Sequence, residues 1–246
     1  MNTLSFNSRI YAILSLCRVS NLPTVWINVL TASILSGVLN NQREVESVLL
    51  LVAALSCFYC GGMALNDLYD IDHDSVHQQY RPIPSGQITF VRARAVTFGL
   101  FVFAFFCLSI APYRIGLVAG VALLTVIWLY NRFHKRHSVA VLAMAGARLF
   151  IYIVTALAIS GQVSKTIWLA GGLQAAYILT ITIVARRKSH AIGQRRDVWP
   201  SIPWMLAAIP ICDGLVLAML IDPAWLAVGI GGTILTRMAQ RYIRGD

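Results

Sequence analysis

Asn66-Asp67-Leu68-Tyr69-Asp70-Ile71-Asp72-His73-Asp74 closes an apolar run and carries four of the ten carboxylates in a chain of 246 residues. On a helix, Asn66, Asp70 and Asp74 are spaced four apart and project from one face, with Asp67 one position round and Asp72 turned away. Carboxylates crowded on one side repel each other unless a cation sits among them. Hard oxygen ligands of this kind suit Mg²⁺, which keeps several waters and shares phosphate oxygens. The stretch reads as a site for a metal-bridged phosphate or diphosphate, or else as a solvated acidic helix end. What surrounds it bears on that choice.

The chain is 58% hydrophobic and only 12% charged, which leaves too little polar surface for a water-soluble domain. Apolar segments near the ~20 residues that a helix needs to cross the hydrocarbon layer fall at 21–39, 48–68, 91–110, 114–131, 138–160, 166–185, 202–221 and 223–240. The expected fold is an all-α polytopic membrane protein of eight transmembrane helices, one domain over residues 1–246, with no linker or low-complexity tract. Arg9, the short apolar stretch Ile10 to Cys17 and Arg18 lack a small-residue cleavage pattern, so no removable signal peptide is expected.

The positive charge is explained by topology. Of 20 Lys and Arg, sixteen lie on the side of the N-terminus: Arg9, Arg18, Arg81, Arg92, Arg94, Arg132, Lys135, Arg136, Arg186, Arg187, Lys188, Arg195, Arg196, Arg237, Arg241 and Arg244. Three, Arg43, Arg114 and Lys165, lie on the other side, and Arg148 is inside a span. That asymmetry places both termini and the acidic stretch in the cytoplasm. The net charge of +10 therefore calls for the lipid bilayer and not for nucleic acid. A channel or pump is disfavoured, because the charges gather at one membrane face instead of forming a path across it.

Beyond the acidic run comes Gln79-Tyr80-Arg81-Pro82-Ile83-Pro84-Ser85-Gly86-Gln87-Ile88-Thr89. Two prolines and a glycine give a rigid turn, Arg81 is within reach of the carboxylates or a phosphate, and Thr89 is placed to cap the next helix. Asn66-Asp67-x-x-Asp70-x-x-x-Asp74 followed by Arg81-Pro82-x-Pro84-Ser85-Gly86 resembles the first aspartate-rich motif and adjoining loop of the UbiA superfamily of intramembrane prenyltransferases. Weaker echoes are Arg18-Val19-Ser20-Asn21-Leu22-Pro23-Thr24-Val25-Trp26 and Tyr130-Asn131-Arg132-x-x-Lys135-Arg136.

The resemblance implies a bundle of eight or nine helices around a central cavity, Mg²⁺ as cofactor, and transfer of an isoprenyl group from its diphosphate to an apolar or aromatic acceptor. Asp67, Asp70 and Asp74 would be the catalytic, metal-holding carboxylates, and Asn66 would orient the diphosphate. Arg81, Arg132, Lys135 and the cluster Arg186, Arg187, Lys188 would grip its oxygens. Tyr59, Tyr69 and Tyr130 would shield an allylic cation.

The chain departs from the family pattern after the sixth span. Ala185 to Asp197 has one acid amid five cations where the family carries a second aspartate-rich motif. Divergent UbiA-like proteins of bacterial accessory clusters, such as the ebo type, look similar here, which implies a bacterial inner membrane. A lipid-binding or transport-accessory protein with the same fold is the alternative reading. The signature DGxxAR of a CDP-alcohol phosphotransferase is absent.

Two charges remain inside spans. Arg148 must face the bundle interior or a wet cavity, against either a ligand anion or a structural partner, for which Asp213 is the natural choice; Asp213 is also a candidate to orient an acceptor. The five cysteines lie in or beside apolar segments, and Cys57 and Cys60 read as small packing residues. The pairs Gly61-Gly62, Gly171-Gly172 and Gly231-Gly232 read as close helix contacts. The five histidines make no zinc set by spacing.

Overall fold

The computed structural model describes residues 6–37, 42–133, 140–190 and 201–245, and the side chains of all of these except 6, 7, 140 and 186–190. Among them every regular element is helical: α1 Phe6–Leu16, α2 Leu22–Leu35, α3 Gln42–Tyr69, α4 Ile71–His77, α5 Phe90–Ile110 and α6 Ile115–Phe133. There follow α7 Ala140–Ser160, α8 Lys165–His190, α9 Ile202–Ala207, α10 Ile209–Leu220 and α11 Leu226–Tyr242. The short connections α5 to α6 and α7 to α8 set those pairs side by side and antiparallel.

Helices α3, α5, α6, α7, α8 and the joined α9 and α10 are long and apolar enough to cross a membrane. The pair α1 and α2, bent by 56°, makes a seventh crossing if it is one span. The expected eight is not reached on length among the described residues. Its last member is shortened because Pro223–Trp225 spend a turn as a 3-10 helix, leaving α11 with 17 residues. The bend in the first span has its own cause: Arg18 takes left-handed backbone, φ 47° and ψ 47°, which ends α1 before Pro23 helps to start α2.

The core runs between α2, α3, α5, α6, α7 and α8, around Phe58, Leu108, Leu123 and Tyr152. Close approach needs missing side chains at a few points. A Cβ on Gly61 would meet the Phe101 ring at 2.9 Å, and one on Gly214 would meet the Gly229 backbone at 2.9 Å. Gly172 and Gly231, by contrast, have open space beside them, so the packing reading holds for one member of each of those pairs. Large apolar side chains such as Phe98, Val118 and Met219 point outward, as lipid-facing surfaces require. All five cysteines are free.

At 28 residues, α3 is roughly 42 Å long, more than the ~30 Å hydrocarbon layer, so it extends beyond it. The acidic stretch is at its C-terminal end. A second, smaller core of Leu16, Ala64, Ile83, Ile88 and Ala93 ties α1, α3, the loop after α4 and α5 together there.

Candidate functional site

The acidic stretch is not one continuous helix. Helix α3 ends at Tyr69, Asp70 is the hinge at φ −96° and ψ 1°, and α4 starts at Ile71. The i to i−4 spacing survives the break, since the Asp70 N–H donates to the Asn66 carbonyl at 3.0 Å and the Asp74 N–H to that of Asp70 at 2.9 Å. Asn66, Asp67, Asp70 and Asp74 are all buried, and Asp72 is exposed, as the helical spacing required. A solvated helix end is thereby excluded.

Two guanidiniums hold these acids. One nitrogen of Arg81 donates to Asp67 Oδ1 at 3.2 Å and to Asp74 Oδ2 at 2.6 Å, and Arg18 donates to the same Asp67 oxygen at 3.2 Å. His73 Nδ1 lies 3.5 Å from the other Asp74 oxygen. Burial works against the Arg81 charge, but Asp67 and Asp74 outweigh it and hold the guanidinium pKa above its usual value. The loop that carries Arg81 folds on itself: the Ser85 hydroxyl donates to the Arg81 carbonyl at 2.7 Å, the Ile88 N–H to that of Pro82 at 3.1 Å, and Gly86 supplies a φ of +74°. Thr89 caps α5 as expected, accepting from the Arg92 N–H at 3.4 Å.

Other expected residues are placed less closely. Asn66 donates to Asn131 Oδ1 at 3.1 Å, so the Tyr130-Asn131-Arg132 segment meets the site through its buried asparagine, while Arg132 is exposed. Tyr59 is partly buried within electrostatic reach of Arg18 and Arg148, Tyr130 is partly buried, and Tyr69 is exposed at the end of α3. The backbone of Arg186, Arg187 and Lys188 continues α8; their side chains, Lys135 and Asp197 lie outside the described residues. No three His, Cys, Asp or Glu side chains among the described residues are gathered tightly enough to hold a metal; Arg81 sits between Asp67 and Asp74 instead.

Sequence reasoning did not assign Arg18 and Asn131 to the site, although both stand in the segments with weak family echoes. It also missed the chain's far end. Asn21, three residues beyond Arg18, donates to the Gly245 carbonyl at 2.7 Å and accepts from Gln240 at 3.0 Å, and Arg244 lies over the Tyr80 ring at 4.7 Å.

Arg148 and Asp213 feel each other's charge, but not through a direct ion pair. No ion pair within 4 Å joins them. Arg148 donates to Thr24 Oγ1 at 2.6 Å, and Asp213 accepts from Asn28, Tyr152 and Gln174. The reason is composition: three neutral donors from α2, α7 and α8 surround the carboxylate, and together they satisfy it without the guanidinium.

The model of the UbiA prenyltransferase family matches residues 22–246. Digeranylgeranylglyceryl phosphate synthase of Saccharolobus solfataricus is 33% identical over 84 residues, 33% of this chain and 30% of that protein. Protoheme IX farnesyltransferase of Trichormus variabilis is 32% identical over 136 residues, 52% of this chain and 42% of that protein. The matches thus span a minor part of the curated relatives' length. A solved UbiA homologue from Archaeoglobus fulgidus, bound to GPP and Mg²⁺, superposes with a TM-score of 0.63 at 15% identity, over 94% of this chain and 97% of that one. At that identity the likeness is one of fold.

Proposed function

We propose that this chain, which belongs to the UbiA prenyltransferase family, transfers an isoprenyl group from a prenyl diphosphate to an apolar or aromatic acceptor within the membrane, with Mg²⁺ as its resident ion. The observation that carries this reading is the Arg81 bridge. Asp67 and Asp74, whose side chains are 3% and 2% exposed, share one guanidinium nitrogen. Buried carboxylates that already require a cation between them, with Asp70 and the Asn66 amide beside them, are oxygen donors of the kind Mg²⁺ takes, and they would close on it only once Arg81 leaves the place between them.

Asp67, Asp70 and Asp74 would hold the ion, and its chemistry there is to neutralise charge on a departing diphosphate. The rest falls to the chain's own groups. Asn66, braced by Asn131, orients the diphosphate. Arg81, released from the carboxylates, grips phosphate oxygens together with Arg132, Lys135, Arg186, Arg187 and Lys188, so that fixed charge takes over where the family's second acidic motif is replaced. As the bond between the allylic carbon and the diphosphate oxygen breaks, both electrons leave with the diphosphate. Aromatic faces of Tyr59, and further out Tyr69 and Tyr130, stabilise the carbon's positive charge. The acceptor nucleophile then bonds to that carbon and its proton leaves to water at the site. The asymmetry of Lys and Arg supports a cytoplasmic position for this face, and the likeness to UbiA-like proteins of bacterial accessory clusters supports a bacterial inner membrane.

A second reading has its own support: the basic stretch that ends α8 and follows it carries one acid in place of several, as in a lipid-binding accessory protein that no longer performs the transfer. The purified protein in nanodiscs, given Mg²⁺ and labelled prenyl diphosphates of several chain lengths, separates the two. Diphosphate release that needs Mg²⁺ supports transfer, and binding without release supports the accessory role. Asp70→Ala is expected to lower release at least about a hundredfold; release at the original rate in that variant would remove Asp70 from the site.

A further inference from the structure

The segment that follows α11 joins the two parts of the chain that carry the arginines of the acidic site. Helix α11 ends at Tyr242, and Ile243 is extended at φ −131° and ψ 126°. The next two residues then make contacts to different places. Arg244 lies over the Tyr80 ring, 4.7 Å from its centroid and one residue before Arg81 in sequence. Gly245 accepts from the Asn21 amide at 2.7 Å, three residues after Arg18.

The Asn21 end is firm. That side chain is 4% exposed and accepts from Gln240 at 3.0 Å, and a Cβ on Gly245 would meet its Oδ1 at 2.7 Å. Gln240 also accepts from Arg237 at 2.9 Å, and Arg237 lies 4.2 Å over the Trp204 ring, so the base of the segment is tied to α9 as well. Tyr11 of α1 adds a bond to the Tyr242 carbonyl at 3.4 Å. The Tyr80 end is weak. Tyr80 and Arg244 are both exposed, and their contact is one cation on one ring. What that weak end holds is the Arg81 loop. The Arg81 side chain is 11% exposed and its Nε is enclosed, so the guanidinium does not swing out alone and leaves its carboxylates only with the loop. Ile83 and Ile88 hold the loop from inside, in the small core, and Arg244 holds it from outside.

We propose that residues 243–245 are a strap that keeps Arg81 seated between Asp67 and Asp74, and that release of Tyr80 is the step that opens this place to the divalent ion. The inference rests on the reading of the acidic stretch as an ion site. Linkage fixes the sign of the effect. With only the open loop competent, the apparent dissociation constant of the ion is the intrinsic one divided by the open fraction, so weakening the strap strengthens ion binding. Loss of a contact that merely braced the site would do the reverse.

The test uses the full chain in nanodiscs. Ile83→Cys, at a position 7% exposed, in a background free of other cysteines, reports loop opening without Mg²⁺ by its rate of reaction with a soluble maleimide. Calorimetry reads the binding of Mg²⁺ alone. Arg244→Gln is expected to speed labelling and to tighten Mg²⁺ binding by about two- to fivefold each, the scale of one exposed cation–π contact. Tyr80→Leu removes the ring and no charge and is expected to match it, with nothing added in the double variant. Arg244→Lys keeps a cation over the ring and both wild-type values. Unchanged labelling in both single variants overturns the proposal, and so does weaker Mg²⁺ binding in them. Faster labelling in proteins none of which takes up Mg²⁺ keeps the strap and loses the ion reading. Mg²⁺ uptake at one affinity in all of them keeps the ion reading and loses the strap.

Discussion

Removing Arg81 should destabilise the protein in a way that Mg²⁺ specifically repairs. The Arg81 side chain is 11% exposed and touches two carboxylates that are almost fully enclosed. Replacing it with leucine keeps much of the volume and leaves two anions facing each other, with Arg18 still on Asp67 and no guanidinium left on Asp74. Breaking a buried charge pair from one side costs about 3 to 5 kcal/mol. The remaining Arg18 contact argues for the lower end, about 3 kcal/mol, or on the order of a hundredfold in the folding equilibrium. A divalent ion then meets Asp74 with no guanidinium to displace, and Asp67 with Arg18 alone. At a hundred times its dissociation constant it returns about 2.7 kcal/mol. Equilibrium unfolding of wild type and Arg81→Leu in detergent, with and without Mg²⁺ at matched ionic strength, measures both effects. Arg18→Leu, which leaves Asp67 still paired to Arg81, should cost about 1.5 kcal/mol. An Arg81→Leu protein as stable as wild type, or one that gains no more from Mg²⁺ than wild type does, refutes the reasoning.

Other outcomes follow from single contacts. Gly214→Ala should cost about 1 to 3 kcal/mol in thermal unfolding, because its Cβ would lie 2.9 Å from the Gly229 backbone, which cannot swing aside; Gly172→Ala, with open space around it, should be neutral. Asn21→Leu strands the Gly245 carbonyl and the Gln240 amide, at about 1 to 3 kcal/mol. It should also make the C-terminal residues sensitive to carboxypeptidase, which SDS gels with mass spectrometry would read. A cysteine at Ser85, exposed on the Arg81 loop, in a background free of other cysteines, should react with a membrane-impermeant maleimide only from the cytoplasmic face; labelling from the other side would reverse the orientation.

The positions of six of the eight expected spans, the acidic stretch and the Arg81 loop were legible from residues alone, because each depends on local chemistry. Twenty apolar residues read as a span wherever they stand, and Asp70, Asp74 and Asn66 are brought near one another by helical spacing within nine residues. Even the exposure of Asp72 followed from that spacing. What the tertiary structure alone decided are the contacts between distant segments. Arg18 reaches Asp67 across 49 positions, Asn131 reaches Asn66 across 65, and Gly245 reaches Asn21 across 224. The same limit explains why Arg148 and Asp213, though within reach of each other's charge, are not in direct contact. Opposite charges in two spans suggest an ion pair, but the geometry of α2, α7, α8 and α10 gave the carboxylate three neutral donors and turned the guanidinium to Thr24. Sequence sets which groups must find partners in a membrane; the packing of helices chooses among the candidates, because a contact a few ångströms long depends on how elements far apart in the chain are rotated against one another.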